Sequence, residues 1–493
     1  MKKVDVFING EFRTPFLNRY FPVINPATGD VIAEAAEGNE QDIEWAVESA
    51  VKAFRETTWA HDKELRFRVL NQLATLLRDN LDELTELESN ITGRPIREMK
   101  AQLARLPEWF EFFASVLKTH GTDSPPFSGD YINYTQRIPL GVVGLITPWN
   151  HPLLILTKKL APALAAGNSV VIKPSESAPV TPSILGELAK EAGVPNGIVN
   201  IVPGYGAVAG KALSTNKNLA KVDVTGGTET GRHIAAAAGF NLAKVAAELG
   251  GKASVLVLPD ANLEEAVNGS AFAAFIATGQ TCVQGSRIFV HESQYDEFLE
   301  RFVEKTKGLK VGDPQKLETD IGPVISEKQY RRILDYIQIG KDEGAEIAFG
   351  GKSLDGKGYY IEPTIFKNVH NKMRIAQDEI FGPVTCVLKY STTSELIELA
   401  NGTDMGLAMS VWSNDIRQAH NLAGKLEAGI IWINDHHRID PSSPWGGFKS
   451  SGIGLENSIK CFEDYSKIRN VIVNIQEKSF DWFDGSAQVK RYS

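Results

Sequence analysis

From residue 41 to residue 118 apolar side chains recur at intervals of three and four, with proline appearing only at Pro95 and Pro107. That spacing predicts a run of amphipathic helices. Tyr131 to Ile138 instead alternates and then meets Pro139-Leu140-Gly141, which predicts a β-hairpin leaving the helical body. Beyond it the rhythm becomes short apolar strands followed by helices. Gly141 to Ile146 and Ser169 to Ile172 read as strands, and Pro152 to Ala166 and Thr181 to Ala192 as helices. Val199 to Val202 and Lys221 to Val224 continue the series, each followed by a glycine-rich turn and a helix. Strands alternating with helices predict an α/β fold with a parallel, doubly wound sheet, in which ligands bind outside the carboxyl ends of the strands. A second α/β series runs from Ser254 to about residue 440, and the chain closes with a strand-like Val471-Ile472-Val473 and a polar tail after Gln476. The apolar stretch Ala271 to Ala277 is far shorter than the roughly 18 residues that cross a bilayer, and reads as part of a buried helix.

Composition narrows the class. A chain of 493 residues is too long for one ordinary core and implies two or three domains. A hydrophobic fraction of 43% and a charged fraction of 23% are those of a globular protein. A formal net charge of -9 argues against nucleic acid or an anionic membrane as the partner. Cys282, Cys386 and Cys461 are widely spaced and odd in number, so no disulfide framework or zinc motif is implied, and a reducing setting fits. Met1-Lys2-Lys3-Val4-Asp5-Val6 carries a charge where a signal peptide needs its apolar core, which reads as a cytoplasmic start.

Two glycine turns nearly match phosphate-binding motifs. Gly226-Gly227-Thr228-Glu229-Thr230-Gly231-Arg232-His233 has Walker A spacing, but Arg232 and His233 stand where lysine and a hydroxyl are required. Gly204-Tyr205-Gly206 with Gly210 has one residue too many for a dinucleotide fingerprint. Either turn, at a helix N-terminus, presents backbone N–H groups to an anion, or is a plain strand-to-helix connection. No cluster has metal-ligand spacing, and His436-His437 are adjacent rather than one helical turn apart.

Cys282 lies in Thr278-Gly279-Gln280-Thr281-Cys282-Val283-Gln284-Gly285, and Glu248 opens Glu248-Leu249-Gly250-Gly251-Lys252. A cysteine is the strongest neutral-pH nucleophile among side chains, and a carboxylate held from water is a general base. The commoner role of a lone cysteine is an inert buried thiol.

Six segments change that balance. Ile146-Thr147-Pro148-Trp149-Asn150, Ile172-Lys173-Pro174-Ser175-Glu176 and Glu248-Leu249-Gly250-Gly251-Lys252 come first. Gly279-Gln280-Thr281-Cys282, Glu379-Ile380-Phe381-Gly382-Pro383 and Pro444-Trp445-Gly446-Gly447-Phe448-Lys449-Ser450-Ser451-Gly452 follow in order. Together they resemble the NAD(P)-dependent aldehyde dehydrogenase superfamily over nearly the whole chain, in its hydrolytic, non-CoA-acylating form.

The resemblance implies a Rossmann-like NAD-binding domain at 1–118 and 141–250 and a catalytic domain at 251–465. A small β oligomerisation element at 119–140 and 466–493 would join the subunits of a homodimer or homotetramer. It further implies that Cys282 attacks an aldehyde, with the oxyanion held by the Asn150 amide and the Cys282 N–H, and that Glu248 activates the water that hydrolyses the thioester. CoA-acylating relatives generally lack that acid. Lys159 and Glu456 match a proton path, although as isolated residues they read as an ion pair.

For the cofactor, Lys173 and Glu176 match adenine-ribose ligands, and Glu176 would repel a 2′-phosphate, so NAD is favoured over NADP. Ile146 and Trp149 line the same cleft, Gly204 and Gly226 would approach the phosphates, and Gly227 replaces a serine of many relatives. Glu379 would hold the nicotinamide ribose, and Phe381 would pack near its ring. The implied substrate is a small-molecule aldehyde, met by His151, Lys158, Ile276 and Trp445. Trp445 resembles a tryptophan of betaine aldehyde dehydrogenases, but Lys158 would repel a cation. Lys158 either attracts a semialdehyde carboxylate, with Arg438 as a second cation, or points to solvent at the tunnel mouth. The expectation is a broad range of aliphatic or aromatic aldehydes. The rival readings are a CoA-acylating enzyme and a non-catalytic structural relative.

Overall fold

The computed structural model describes residues 2–477 and Phe483. Its largest sheet has eight strands, in the order Gly452–Ile453, Lys244–Glu248, Leu219–Thr225, Val142–Ile146, Ser169–Lys173, Val199–Ile201, Val6–Ile8, Glu11–Arg13. The five middle strands run parallel, and the strands at both ends are antiparallel. Val142–Ile146 and Ser169–Lys173 are buried at every position, which is why they read as continuous apolar runs rather than alternating ones. The helix Pro152–Ala165 is likewise buried throughout.

A second sheet has seven strands, in the order Glu346–Phe349, Thr364–Lys367, Val384–Tyr390, Gly285–His291, Ala253–Val257, Ala408–Trp412, Ile430–Ile433. All of its pairings are parallel except the one at Glu346–Phe349. The doubly wound α/β reading holds for both halves. Five helices between Glu40 and Thr119 fill the segment read as helical. The first is fixed by a capping box, in which Asn39 accepts from Gln41 and Asp42 while the Asp42 carboxylate accepts from the Asn39 N–H.

Three differences from the pattern reading have physical causes. Five short strands precede Glu40, too short to show a period, and they are held by the sheets they join. No hairpin forms at 119–140. Tyr131–Pro139 pairs along all nine residues with Ser466–Asn474, while the segment before it is tied to the strand by one backbone bond, Thr135 N–H to the Asp123 carbonyl, and by side-chain bonds of Ser124, Asn133 and Thr135. An alternating strand needs a partner, and the partner is more than 320 positions away, beyond the reach of local pattern. Third, the helix read through Ala277 ends at Phe275, because Ala277, Thr278 and Gly279 are left-handed, with φ of 54°, 55° and 69°.

The two-stranded arm exposes Ile132, Ile468 and Ile472. The tail beyond Gln476 lies outside the described residues except for Glu477 and Phe483. Among the described residues, no helix is long and apolar enough to cross a membrane.

Candidate active site

Four parallel strands end side by side on Ile146, Lys173, Thr225 and Glu248. The carboxyl edge of the first sheet therefore collects most of the residues singled out by sequence, as a doubly wound sheet requires. Lys173 pairs with Glu176 at 3.0 Å. Burial lowers the Lys173 pKa against the pull of Glu176, and Lys173 outweighs burial at Glu176 to hold its carboxyl below the usual range. Trp149 and Phe381 meet edge to face at 5.2 Å between centroids.

Gly226 donates its N–H to the Glu248 carbonyl at 3.1 Å, and Gly227 caps the helix Thr228–Phe240 with open space where its side chain would be. Thr147, Thr225 and Thr228 bracket this edge with buried hydroxyls that meet no partner among the described residues. Gly204 has a second reason to be glycine. A Cβ there would strike the Gly38 carbonyl, so packing inside the chain already demands its glycine.

The left-handed run 277–279 swings the chain out of its helix and delivers Cys282 to the cleft, half-buried. The turn is pinned by Gln284, whose amide donates to the carbonyls of Ala274, Gly382 and Val384 at 3.0, 2.6 and 3.2 Å. Gly279 is obligatory because a Cβ would overlap the Gly382 carbonyl. The two glycines after Leu249 are equally specific: Gly250 makes room for the Glu379 carboxylate and Gly251 for the Cys282 carbonyl oxygen. Glu379 in turn accepts from the Gly251 N–H at 2.9 Å, and burial pushes its carboxyl up to about 7.

Asn150 donates from Nδ2 to the Gln280 carbonyl at 2.9 Å, and its own carbonyl accepts from Arg94 at 3.2 Å. This bond uses one of the two amide hydrogens. The nucleophile's own backbone loop thereby fixes the orientation of the candidate oxyanion donor.

Glu248 is buried, and neither carboxylate oxygen has a hydrogen-bond partner among the described residues. Desolvation, reinforced by Glu456, raises its pKa well above the ordinary value; Lys158 and Lys159 oppose the shift. Those two lysines are already engaged. Lys158 pairs with Glu456 at 2.5 Å and Lys159 with Glu456 at 2.6 Å, and Lys159 also bonds Asp223, which accepts from the Tyr465 hydroxyl at 2.6 Å. Lys221 also reaches Asp223 at 3.8 Å and pairs with Asp464, so three ammonium groups and three carboxylates balance formally, and Glu248 stands outside the balance. Burial alone would raise the Glu456 pKa, but Lys158 and Lys159 override it and hold it down to about 2.

Lys158 therefore corrects the sequence reading. It neither faces solvent nor waits for a substrate carboxylate; it is 1% exposed, bound to Glu456, with its ammonium 4.5 Å from the Trp445 ring centroid. A buried ammonium persists only beside a carboxylate. Arg438 is not a second cation in the cleft, since it is 80% exposed and faces Asp435. Trp445 is buried in a cluster with Trp432, against which Cys282 and Ile439 pack. Ile276 caps the helix Leu263–Phe275.

His151 accepts at Nδ1 from Arg94 at 2.5 Å, with Gln102 beside the same nitrogen, and stands 6.1 Å from the His437 ring. Arg94, Gln102, His437 and Asp223 were missed by sequence reasoning. Asp223 had a signal, as a charge inside the apolar strand Leu219–Thr225, whereas Arg94 had none. Among the described residues no group of His, Cys, Asp or Glu could hold a metal.

Comparisons with known proteins agree with this fold. The aldehyde dehydrogenase family model matches residues 14–471. Human retinal dehydrogenase 2 is 43% identical over 484 residues, 97% of this chain and 93% of that protein. The NAD+ complex of aldehyde dehydrogenase from Bacillus cereus superimposes with a TM-score of 0.95 at 40% identity, covering 96% of this chain and 97% of that one. Betaine aldehyde dehydrogenase from Staphylococcus aureus, also in complex with NAD+, reaches 0.95 at 37% identity over 97% of this chain and 96% of its own. The matched span, the identity and the shared fold together place this chain in the aldehyde dehydrogenase family.

Proposed function

We propose that the chain oxidises an uncharged aldehyde to its carboxylic acid with NAD, through hydrolysis rather than transfer to CoA. The observation that carries this is the grouping of a half-buried Cys282, an amide at Asn150 tethered to the Cys282 loop, and a buried, unpaired carboxyl at Glu248. The Cys282 sulfur adds to the aldehyde carbon, and the oxygen that gains charge is met by the Asn150 Nδ2–H and the Cys282 N–H. Such preorganised donors contribute on the order of 3 kcal/mol each. NAD, when bound, supplies the hydride acceptor.

The Glu248 carboxylate then takes a proton from the water that attacks the thioester, and Lys159 with Glu456 forms the polar route behind it. The residues fit the dinucleotide. The Lys173–Glu176 pair suits two ribose hydroxyls and disfavours a 2′-phosphate, while the open space at Gly226 and Gly227 and the unpaired Thr225 and Thr228 hydroxyls suit a pyrophosphate. Those hydroxyls stand beside Gly227 and make up for its missing side chain. Residues 1–118 and 141–250 then form the NAD-binding domain, 251–465 the catalytic domain, and the exposed arm the contact between subunits of a homo-oligomer.

With Lys158 bound to Glu456 and Arg94 to Glu98, the cleft offers no free cation to a semialdehyde carboxylate, and a trimethylammonium group would lose its hydration with no carboxylate set aside for it. The test is NADH formation at 340 nm with simple aldehydes. Turnover without CoA, absent in Cys282→Ala, is expected; a requirement for CoA, or no NADH with any aldehyde, overturns the reading.

A further inference from the structure

One buried polar group beside the cleft has no use in the chemistry above. His151 is 3% exposed, and its Nε2, at the tip of the ring, meets no hydrogen-bond partner among the described residues. Arg94 donates to its Nδ1 at 2.5 Å, and a guanidinium cannot accept, so the ring proton resides on Nε2. The orphan atom is therefore an N–H donor of fixed tautomer. Burial, reinforced by Arg94, holds the ring neutral by lowering its pKa well below the ordinary value.

This donor belongs to a built site. Arg94 is itself buried and held by Glu98, by Gln102 at 2.9 Å and by the Asn150 carbonyl at 3.2 Å. The residue that orients His151 therefore also holds the backbone of Asn150, whose side-chain amide is the candidate oxyanion donor. The rings of His151, His437 and Trp445 follow one another at 6.1 and 6.4 Å, and Trp445 belongs to the cluster against which Cys282 packs. An unpartnered N–H in such surroundings has lost its hydration without compensation unless a ligand supplies an acceptor.

We infer that His151 Nε2–H is a specificity-determining donor that selects aldehydes carrying a neutral oxygen acceptor, a hydroxyl, ether or carbonyl oxygen, along their chain. A cationic substituent would lose its hydration beside Arg94 and Lys158, whose carboxylate partners Glu98 and Glu456 are already engaged. A carboxylate would lose its hydration for one neutral donor, because Lys158 is bound to Glu456. A neutral oxygen satisfies the donor without either cost. Sites built around a buried hydrogen bond discriminate more sharply than apolar pockets do, since the analogue lacking the acceptor leaves the donor unpaired.

This inference rests on the proposed aldehyde oxidation, and the experiment separates the two. kcat/KM is measured at saturating NAD for three isosteric pairs, methoxyacetaldehyde with butanal, 3-methoxypropanal with pentanal, and 4-methoxybutanal with hexanal. The full-length enzyme is compared with His151→Phe, His151→Leu and His151→Gln. Dividing each ether-to-alkyl ratio by the same ratio in the variant cancels intrinsic reactivity.

At one of the three oxygen positions, the wild-type ratio is expected to exceed that of His151→Phe and His151→Leu by roughly tenfold or more. The alkyl member should gain in the apolar variants, which no longer bury an unpaired donor. His151→Gln, which keeps an N–H, should retain part of the preference. Equal ratios in wild type and apolar variants at all three positions overturn the inference while leaving the proposed function intact. If the apolar variants do not fold, a wild type in which no ether exceeds its alkyl isostere overturns it equally. No NADH from any aldehyde refutes the underlying reading instead.

Discussion

Gly251 lies against the carbonyl oxygen of Cys282 so closely that a Cβ at residue 251 would overlap it. The strand that carries Glu248 and the loop that carries Cys282 thus meet backbone to backbone, and their spacing is set by a missing side chain. Gly251→Ala must push the loop away. A misplacement of about 1 Å at reacting atoms costs on the order of 100-fold in rate. The expected outcome is a loss of that size in kcat together with a lowered melting temperature, because the clash is with backbone, measured by NADH production and thermal unfolding.

Glu248→Gln separates the two half-reactions. The amide cannot take a proton from water, but it leaves Cys282 and Asn150 in place. A rapid burst of NADH followed by turnover slowed by roughly 10²- to 10⁴-fold is expected in stopped-flow measurements. Because burial raises the Glu248 pKa well above the ordinary carboxylate value and the base form is the active one, wild-type turnover should climb with pH through that ionisation. The climb should be missing from the variant.

The Cys282 thiol should be sluggish without cofactor. Burial pushes it up to about 12, opposed by the positive charge of Lys158. Alkylation by iodoacetamide should rise by about tenfold per pH unit between pH 7 and 9, following the thiolate fraction. Lys158→Met should slow it further, since the opposing cation is gone. A rate that is flat over this range would contradict the buried, neutral thiol.

Lys159 bridges Glu456 and Asp223 inside the protein, so Lys159→Met leaves buried carboxylates short of a partner. Removing one member of a buried ion network costs about 3–5 kcal/mol, readable as a lower urea midpoint at pH 7. The pH dependence has a definite sign. Glu456 is depressed from 4.5 to about 2 in the folded state, so its contribution is present above pH 4.5 and is lost as pH falls through about 2. The wild type should lose stability across that window. With only Lys158 left beside Glu456, the variant should lose less.

The first sheet was legible because its central strands are buried on both faces and each is followed by a helix of its own. Cys282, Glu248 and Asn150 were legible because each stands in a run of small or turn-forming residues whose order could be matched. The pairing of Lys158 with Glu456 was not, since the two are nearly 300 positions apart and neither position betrays its burial. A lysine in the helix Pro152–Ala165 reads as a solvated face until every neighbour proves to be buried as well. The arm failed for the same reason: alternation shows that Tyr131–Pro139 is a strand, not which strand completes it.

Gly452–Ile453 closes the edge of the first sheet against Glu248, although more than 200 positions of a different sheet lie between them. The base is thus made early in the chain and finished last. Until residues 445–456 emerge from the ribosome, Lys158 and Lys159 have no Glu456, and the Glu248 strand has a bare edge. A chain lacking residues 445–456 would leave Glu248 on an unpaired strand edge and both lysines without their shared carboxylate.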